Sequence, residues 1–238
     1  MEFKRILLKI SGEALEDKEN HLNYDAKVLA SVCSTVKAIT SRGVQVAMVV
    51  GGGNIWRGNM APTIGIEQAT GDYMGMLATI MNAMALQAFF EKNGLEVRVM
   101  SALPVNACCE PYLRRKAIRH LEKGRVVIFA GGVGSPFFTT DTGAALRAKE
   151  INADSIFMGK NGVDGVYDDD PRKNKNAKLI KKMTFHEMLE KNLKVMDNTA
   201  IGLLENGNIQ IHVFNMNDTD NAVKIIDGED IGTVISKE

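Results

Sequence analysis

Glycine-rich segments at the ends of apolar runs are the first sign of chemistry in this sequence. Glycine lets the backbone approach a phosphate group closely and direct N–H groups towards it. A tight turn is the simpler explanation for one such segment, but four together favour a ligand held by the backbone. The four segments are Lys9-Ile10-Ser11-Gly12, Gly51-Gly52-Gly53-Asn54, residues 131–141 and residues 160–167.

Charged side chains stand close to these glycines in the sequence. Lys9, Arg57 and Lys160 are positive, and Asp141 follows the third segment. Phosphoryl transfer needs positioning and positive charge facing the phosphate oxygens, with little covalent help from the protein. A lysine at a sheet end can also extend into solvent without any catalytic role. The Ser11-Gly12 pair directly after Lys9 favours the phosphate interpretation.

Two common phosphate-binding motifs do not fit the sequence. The P-loop pattern G-x-x-x-x-G-K-[ST] does not occur. The dinucleotide fingerprint G-x-G-x-x-G belongs after the first strand, whereas Gly51-Gly52-Gly53 follows the second and has Trp56 in the last glycine position. The four histidines lack metal-ligand spacing, so no metal site is predicted from protein side chains. ATP-dependent phosphoryl transfer without a P-loop is the chemistry that remains.

Composition limits the classes of protein that fit. The 238 residues are 45% hydrophobic, enough for a sizeable core, and carry 29 basic and 29 acidic side chains. Such a balance does not favour binding to nucleic acid or to an anionic membrane. The uninterrupted apolar runs are shorter than the roughly 20 residues of a membrane span. Three cysteines without a spaced framework, and an N-terminus unlike a signal peptide, predict a cytoplasmic protein.

Short apolar runs alternate with helix-period segments, a pattern typical of parallel strands joined by crossover helices. We therefore predict an α/β fold, in which one domain over residues 1–238 forms a three-layer α/β/α sandwich around one continuous, mostly parallel sheet. The predicted strands are residues 4–10, 44–50, 96–101, 125–130, 154–159, 209–215 and 233–235. The predicted helices are residues 25–42, 72–93, 113–123, 141–148, 184–191, 196–205 and 219–226, with Thr140 or Asp141 capping the fourth.

The methionine-rich segment at residues 74–84 is apolar on almost every side of its predicted helix. Solvent-facing helices are seldom so uniformly apolar. A central core helix and an oligomer interface both explain the pattern, because methionine adapts to either surface. We favour the oligomer.

The motifs resemble the bacterial UMP kinases of the amino-acid kinase superfamily over nearly the whole chain, in order. The runs Pro136-Phe137-Phe138-Thr139-Thr140-Asp141 and Gly71-Asp72 with residues 74–79 are specific to this branch. The other matching segments are residues 9–15, Gly51-Gly52-Gly53-Asn54 with Arg57-Gly58, residues 163–167, residues 193–197 and residues 213–216.

This resemblance implies transfer of the γ-phosphoryl group of ATP to UMP, with Mg²⁺ on the ATP phosphates. It gives Lys9, Asp141, Arg57 and Lys160 catalytic roles, with Lys9 bridging the two phosphates and Asp141 orienting it. The implied ATP-binding residues are Lys9, Ile10, Ser11, Gly12, Gly53, Arg57, Asn161, Tyr167 and Asp170. The implied UMP-binding residues are Gly52, Asp72, Val133, Gly134, Ser135, Pro136, Phe137, Phe138, Thr139 and Thr140.

Several of these residues also have plainer explanations. Asp72 could cap a helix that begins there. Tyr167 could be a strand-edge aromatic, and Asp170 a turn residue before Pro171. The family likewise implies a homohexamer and inhibition by UTP. Many relatives carry a glycine-bearing loop linked to activation by GTP, but residues 16–23 contain no glycine, so we predict a polar surface loop and no GTP activation.

Two other functions remain open at the level of sequence. A nucleotide-binding protein without catalysis would share the fold, although Lys9 and Asp141 argue against it. A kinase of the same superfamily acting on a carboxylate or carbamate is chemically close. Asp72 disfavours it, because an acidic residue would repel such an acceptor.

Overall fold

A nine-stranded sheet forms the centre of the protein, and two further strands pair separately. The computed structural model describes residues 3–191, 193, 195–218 and 220–237. The strands are β1 (Arg5–Ile10), β2 (Gln45–Val50), β3 (Val97–Ser101), β4 (Glu110–Pro111), β5 (Val126–Ala130), β6 (Ser155–Lys160), β7 (Val166–Tyr167), β8 (Leu179–Ile180), β9 (Lys182–Thr184), β10 (Gln210–Asn215) and β11 (Thr233–Ser236). The large sheet has the order β4-β3-β5-β2-β1-β6-β10-β11-β9, and β7 pairs with β8.

Helices cover both faces of this sheet. They are α1 (Ala26–Ser41), α2 (Gln68–Lys92), α3 (Arg114–Glu122), α4 (Thr140–Glu150), α5 (Phe185–Glu190), α6 (Asn198–Leu204) and α7 (Asn221–Ile226). All the predicted helices and strands are found, with ends displaced by a few residues. The predicted start of the last helix at residue 219 lies outside the described residues.

Side chains of β1 alternate between two hydrophobic cores. Ile6 and Leu8 join one core with α1, α2 and α7, whereas Leu7 joins the other with α3 to α6. Successive residues of a strand point to opposite faces, so an apolar strand can fill both cores. This arrangement confirms the predicted three-layer α/β/α sandwich. That residues 1–238 form one domain stays a prediction.

Parallel pairing brings the glycine-rich segments to one edge of the sheet. Strands β1, β2, β3, β5, β6 and β10 run in one direction, while β11 is antiparallel to β10. Their carboxyl ends therefore share an edge, where ligands bind in open α/β sheets. The segments that follow β1, β2, β5 and β6 are the four identified from the sequence.

The prediction of one continuous sheet is wrong for two short strands. β7 and β8 pair only with each other, antiparallel, on either side of the polar residues 168–178. Two residues in each strand are too few to give an apolar run in the sequence. The same brevity explains why β4 and β9 escaped prediction.

Helix α2 divides the methionine-rich segment between core and surface. Nine of its residues are buried, while a stripe of four side chains, Tyr73, Leu77, Met81 and Met84, is 39–51% exposed. By length and hydropathy, α2 is the one helix of the described chain that could span a membrane, and 44% of its most apolar window is buried in the protein. Counting uninterrupted apolar runs in the sequence does not reveal this property. Core helices pass the same test.

The predicted surface loop at residues 16–23 is a tight turn. Asp17 and Leu22 exchange both backbone hydrogen bonds, at 2.9 and 3.0 Å. His21 takes the positive φ of 55° that glycine often supplies in such turns. Asn20 N–H donates to the Asp17 carboxylate at 3.0 Å and closes the turn.

Candidate functional site

A cavity of about 780 Å³ opens at the carboxyl edge of the sheet. It is lined by residues that follow β1 and β6 and by the segment around β7. Six of the predicted residues line it together: Lys9, Ser11, Lys160, Asn161, Tyr167 and Asp170. All but Lys160 belong to the predicted ATP-binding set, so the structure gathers much of that set around one space.

Lys9 and Asp141 meet although they are far apart in the chain. The Lys9 ammonium Nζ lies 2.7 Å from Asp141 Oδ1, and the two side chains are only 14% and 20% exposed. Asp141 Oδ1 is buried and has no well-directed hydrogen bond among the described residues. The contact is therefore an ion pair by distance. It fixes where the ammonium lies, and because an ammonium has three N–H donors, a further partner can bind it as well.

Lys160 brings a second partly buried positive charge to this place. Its ammonium donates to the Val195 carbonyl at 2.9 Å. Burial, and secondarily the nearby charge of Lys9, lower the pKa of Lys160, while the carboxylate of Asp141 opposes the shift. Two lysines close enough to repel each other form a site suited to an anion with several negative oxygens.

Arg57 lies outside the cavity lining and is half exposed. Its guanidinium forms an ion pair with Glu13 Oε1 at 3.1 Å and contacts the Gly53 carbonyl at 3.4 Å. Glu13 lines the cavity and was not predicted as a site residue. Its position directly after Ser11-Gly12 was the signal that could have indicated it.

The backbone around the triple glycine is packed too closely for side chains. A Cβ atom on Gly12 would lie 2.5 Å from the Gly51 carbonyl oxygen. One on Gly52 would lie 2.9 Å from the Gly75 carbonyl oxygen in α2. These glycines are therefore required by the close approach of β1, β2 and α2, whatever ligand the turn holds.

Eight of the ten predicted UMP-binding residues, 133–140, follow β5, while Gly52 follows β2 and Asp72 lies in α2, and all ten lie outside the cavity lining. Phe137 N–H donates to Asp72 Oδ2 at 2.8 Å and so links this segment to α2. Phe137 has a positive φ of 71° and is 66% exposed, and Phe138 is 50% exposed. Two exposed aromatic rings beside a carboxylate form a surface suited to a flat, polar base and its ribose.

The alternative role of Asp72 as a helix cap is wrong. Helix α2 begins at Gln68, with Glu67 in the capping position, so Asp72 lies in its second turn. The sequence places the start of α2 too late because Gly71 interrupts the first turn of the helix pattern. Close packing requires this glycine, since a Cβ atom on it would lie 2.4 Å from Ala61 Cβ. The Asp72 carboxylate instead accepts the hydrogen bond from Phe137 N–H in the segment after β5.

The cap of α4 is Thr139, and the prediction of Thr140 or Asp141 is wrong. The Thr139 hydroxyl accepts from the N–H groups of Asp141 and Thr142, at 3.1 and 3.2 Å. The helix begins one residue earlier than predicted, which moves the capping position from Thr140 to Thr139. The cap places Asp141 in the first turn, where a carboxylate is favoured by the helix dipole.

Asp197 holds this cap and was missed as a site residue. It accepts from the hydroxyl groups of Thr139 and Thr142, and from Ala200 N–H at 2.9 Å. Burial alone would raise the pKa of Asp197, but the hydrogen bonds from Thr139, Ala200 and Thr142 outweigh burial and lower it. The predicted motif at residues 193–197 contains Asp197, and its residue 194 lies outside the described residues.

The two plainer explanations hold in part. Tyr167 lies in the two-residue strand β7 and also lines the cavity. The Asp170 carboxylate accepts from Arg172 N–H at 3.0 Å and so shapes the turn around Pro171, while the residue also lines the cavity. A role in the fold and a role towards a ligand are compatible at both positions.

Comparison with known proteins agrees with this geometry. Residues 4–215 match the amino acid kinase family. The chain is 52% identical over 235 residues to a uridylate kinase of Limosilactobacillus reuteri, covering 99% of this chain and 98% of that protein. Among solved structures, a UMP kinase from Bacillus anthracis is 40% identical with a TM-score of 0.96, covering 99% of this chain and 97% of that one. A UMP kinase from Ureaplasma parvum is 37% identical with a TM-score of 0.92, covering both chains fully. The chain therefore belongs to the amino acid kinase family and, within it, to the uridylate kinases.

Proposed function

We propose that the protein transfers the γ-phosphoryl group of ATP to UMP, giving ADP and UDP for pyrimidine nucleotide synthesis. The observation that carries this proposal is the partly buried Lys9–Asp141 ion pair, in which Lys9 lines the cavity with the predicted ATP-binding residues and Asp141 ends the segment after β5. The full-length likeness to uridylate kinases supports the choice of UMP as acceptor.

The chemistry asks mainly for positioning and charge. Negative charge spreads over the γ-phosphoryl oxygens as the group moves between donor and acceptor. Lys9 and Lys160 supply partly buried positive charge to stabilise it, and Asp141 keeps the Lys9 ammonium in place. The glycine turns allow the phosphates to approach the backbone closely enough for N–H groups to bind them.

We propose that Mg²⁺ arrives on the ATP phosphates. Mg²⁺ keeps several waters and needs few protein carboxylates when phosphates bind it. The Asp141 side chain is 20% exposed beside Lys9, and its carboxylate would accept a hydrogen bond from a water of the ion. The ion would neutralise phosphate charge.

An acceptor screen tests the proposed reaction. The purified protein with Mg-ATP would be assayed for ADP formation with UMP, CMP, glutamate, aspartate and carbamate. We expect turnover with UMP well above every other acceptor. Turnover of a carboxylate or carbamate instead would assign another kinase reaction. Calorimetric binding of nucleotides without UDP formation would indicate a binding protein.

We also propose a cytoplasmic homo-oligomer, a homohexamer by family resemblance. The exposed apolar stripe of α2 supports association, since surfaces of this kind mark interaction sites. The three cysteines are free thiols, as expected in a reducing compartment. Inhibition by UTP and no activation by GTP complete the proposal, and rates measured with each nucleotide added to the assay test both.

A further inference from the structure

Two polar side chains are buried in the apolar helix α2, and neither has a part in the reaction described above. Thr79 is 6% exposed and Asn82 is completely buried. Polar groups in such places require hydrogen-bond partners. Both find them in the glycine turns at the edge of the sheet.

Thr79 holds the segment that follows β5. Its hydroxyl accepts from Gly131 N–H at 2.9 Å and donates to the Met76 carbonyl at 2.7 Å. The second bond fixes the direction of the hydroxyl, so the oxygen faces Gly131. Gly131 has a φ of 74° and opens the segment that carries the predicted UMP-binding residues 133–140.

Asn82 holds the triple-glycine turn. Its amide Nδ2 donates to the Gly51 carbonyl at 2.7 Å and to Asn54 Oδ1 at 2.8 Å. Asn54 in turn donates to the Asn23 carbonyl at 2.9 Å. The two oxygens held by Asn82 are the atoms that a Cβ on Gly12 would meet, at 2.5 and 2.6 Å. Asn82 thus holds in place the two oxygen atoms against which Gly12 packs.

Gly52 of the triple-glycine turn also packs directly on the backbone of α2, next to the contacts made by Thr79 and Asn82. Gly52 packs so closely on the helix that a Cβ atom would lie 2.9 Å from both Gly75 O and Ala78 Cβ. Less than one helical turn separates Thr79 from Asn82. One rigid segment therefore holds both turns at a fixed separation.

We propose that Thr79 and Asn82 are positioning residues through which α2 sets the distance between two segments. One is the segment after β5, and the other is the triple-glycine turn. Thr79 positions the UMP-binding segment, and Asn82 positions the triple-glycine turn that spans both nucleotides. The proposal rests on the proposed UMP kinase function. It assigns a task to the inner face of α2 that is separate from the apolar stripe on its outer face.

Steady-state kinetics on Thr79→Val and Thr79→Ser test the first half of this proposal. Valine keeps the shape of threonine but leaves Gly131 N–H without an acceptor, whereas serine keeps the hydroxyl. We expect Thr79→Val to raise the KM for UMP roughly tenfold with the KM for ATP within about twofold, and Thr79→Ser to stay near wild type. Calorimetry should show the same loss in UMP affinity.

Asn82→Leu tests the second half, because it removes both donated hydrogen bonds at similar volume. We expect the KM for ATP and the KM for UMP to rise together, roughly tenfold each. Thr40→Val is the matched control, since within the described part of the chain the Thr40 hydroxyl bonds only carbonyls of its own helix α1. It should change neither KM.

The proposal is overturned if Thr79→Val leaves the KM for UMP unchanged, raises both KM values equally, or is no worse than Thr79→Ser. An unchanged KM for ATP in a folded Asn82→Leu chain would overturn the second half. If Thr79→Val does not fold, Thr79→Ala removes the same acceptor without a new contact. Amide hydrogen exchange on the wild-type protein provides a test without substitution, since free exchange at Gly131 would contradict the bond. Absence of UMP turnover by the wild type would instead refute the proposed function and leave the exchange result standing.

Discussion

Lys9 is the penultimate residue of the central strand, and its ammonium group lies beside the Asp141 carboxylate. We expect Lys9→Ala to lower kcat at least about 100-fold, because it removes the charge that stabilises the moving phosphoryl group. Unfolding should occur within a few degrees of wild type, since the other β1 side chains still fill both cores. Coupled assays and thermal unfolding measure these effects, with exposed Lys18→Ala as control. A folded Lys9→Ala enzyme with near-normal kcat would remove Lys9 from the mechanism.

The lowered pKa of Lys160 predicts that the activity depends on pH. Burial, then Lys9, lower its pKa, so the ammonium loses its proton at a lower pH than an ordinary lysine. Activity that needs this charge should fall on the alkaline side before the usual lysine range, and Lys160→Arg should move that fall to higher pH. Between the lowered pKa and the ordinary one, the unfolded chain binds more protons, so the free energy of unfolding should rise with pH.

Rate–pH profiles of wild type, Lys160→Arg and the control Lys149→Arg check this prediction. Lys149 is exposed and donates to the Leu203 carbonyl away from the cavity lining. An alkaline limb that is the same in all three proteins would assign the titration to another group.

Sequence patterns reveal residues of unusual type more readily than residues with unusual contacts. Lys9 and Asp141 could be identified because a charge beside glycines at a strand end is conspicuous. Asp197 and Asn82 could not, because their importance depends on groups brought near by folding: Thr139 for the first and Gly51 for the second. Nothing in the spacing of these residues indicates that they meet.

Among the elements, α4 and α6 are joined at their N-termini by Asp197. Asp197→Ala removes the cap of α6 and the support of Thr139, the cap of α4. We expect the free energy of unfolding to fall by ~2–3 kcal/mol. Since α4 carries Asp141, we also expect kcat to fall roughly tenfold. Denaturant unfolding and assays at a temperature where the variant is folded measure both.

Thr184→Ala is the matched control for this substitution. Thr184 caps α5 in a capping box, and no residue of α5 lines the cavity. It should lose ~1 kcal/mol of stability without a change in kcat. If the two substitutions lower kcat equally, the effect of Asp197 is general destabilisation and the link between α4 and α6 is irrelevant to catalysis.

Helices and long strands were predictable because their apolar periodicity extends over several residues. Gly94 and Gly124, both with positive φ, end α2 and α3 as the sequence indicates. The pairing of β7 with β8 was not predictable, since two residues carry no periodicity and the partner lies beyond a polar segment. The true start of α2 was not predictable because Gly71 is a poor helix former. Glycine is required at this position by close packing on Ala61, which the sequence does not reveal.

At the scale of the whole molecule, the exposed stripe of α2 predicts self-association. Met81→Glu places a charge in the middle of this stripe, where Met81 is 51% exposed. We expect the mass in solution to fall from that of an oligomer to that of a single chain or a smaller assembly. Light scattering with chromatography measures it. Leu113→Glu, at an apolar residue elsewhere that is 59% exposed, should leave the mass unchanged. A wild-type protein that is already monomeric would contradict the prediction.

The strand order also determines when the enzyme can be assembled during its synthesis. β1 pairs with β2 on one side, but its other neighbour is β6, about 150 residues later in the chain. A growing chain can pair the first two strands early. The other edge of β1 stays unpaired until Ser155–Lys160 has emerged from the ribosome. Lys160 is also part of β6, so the charged centre cannot form before about two thirds of the 238 residues have been made. A chain that stops before β6 would expose an unpaired apolar strand edge and be a target for aggregation or proteolysis.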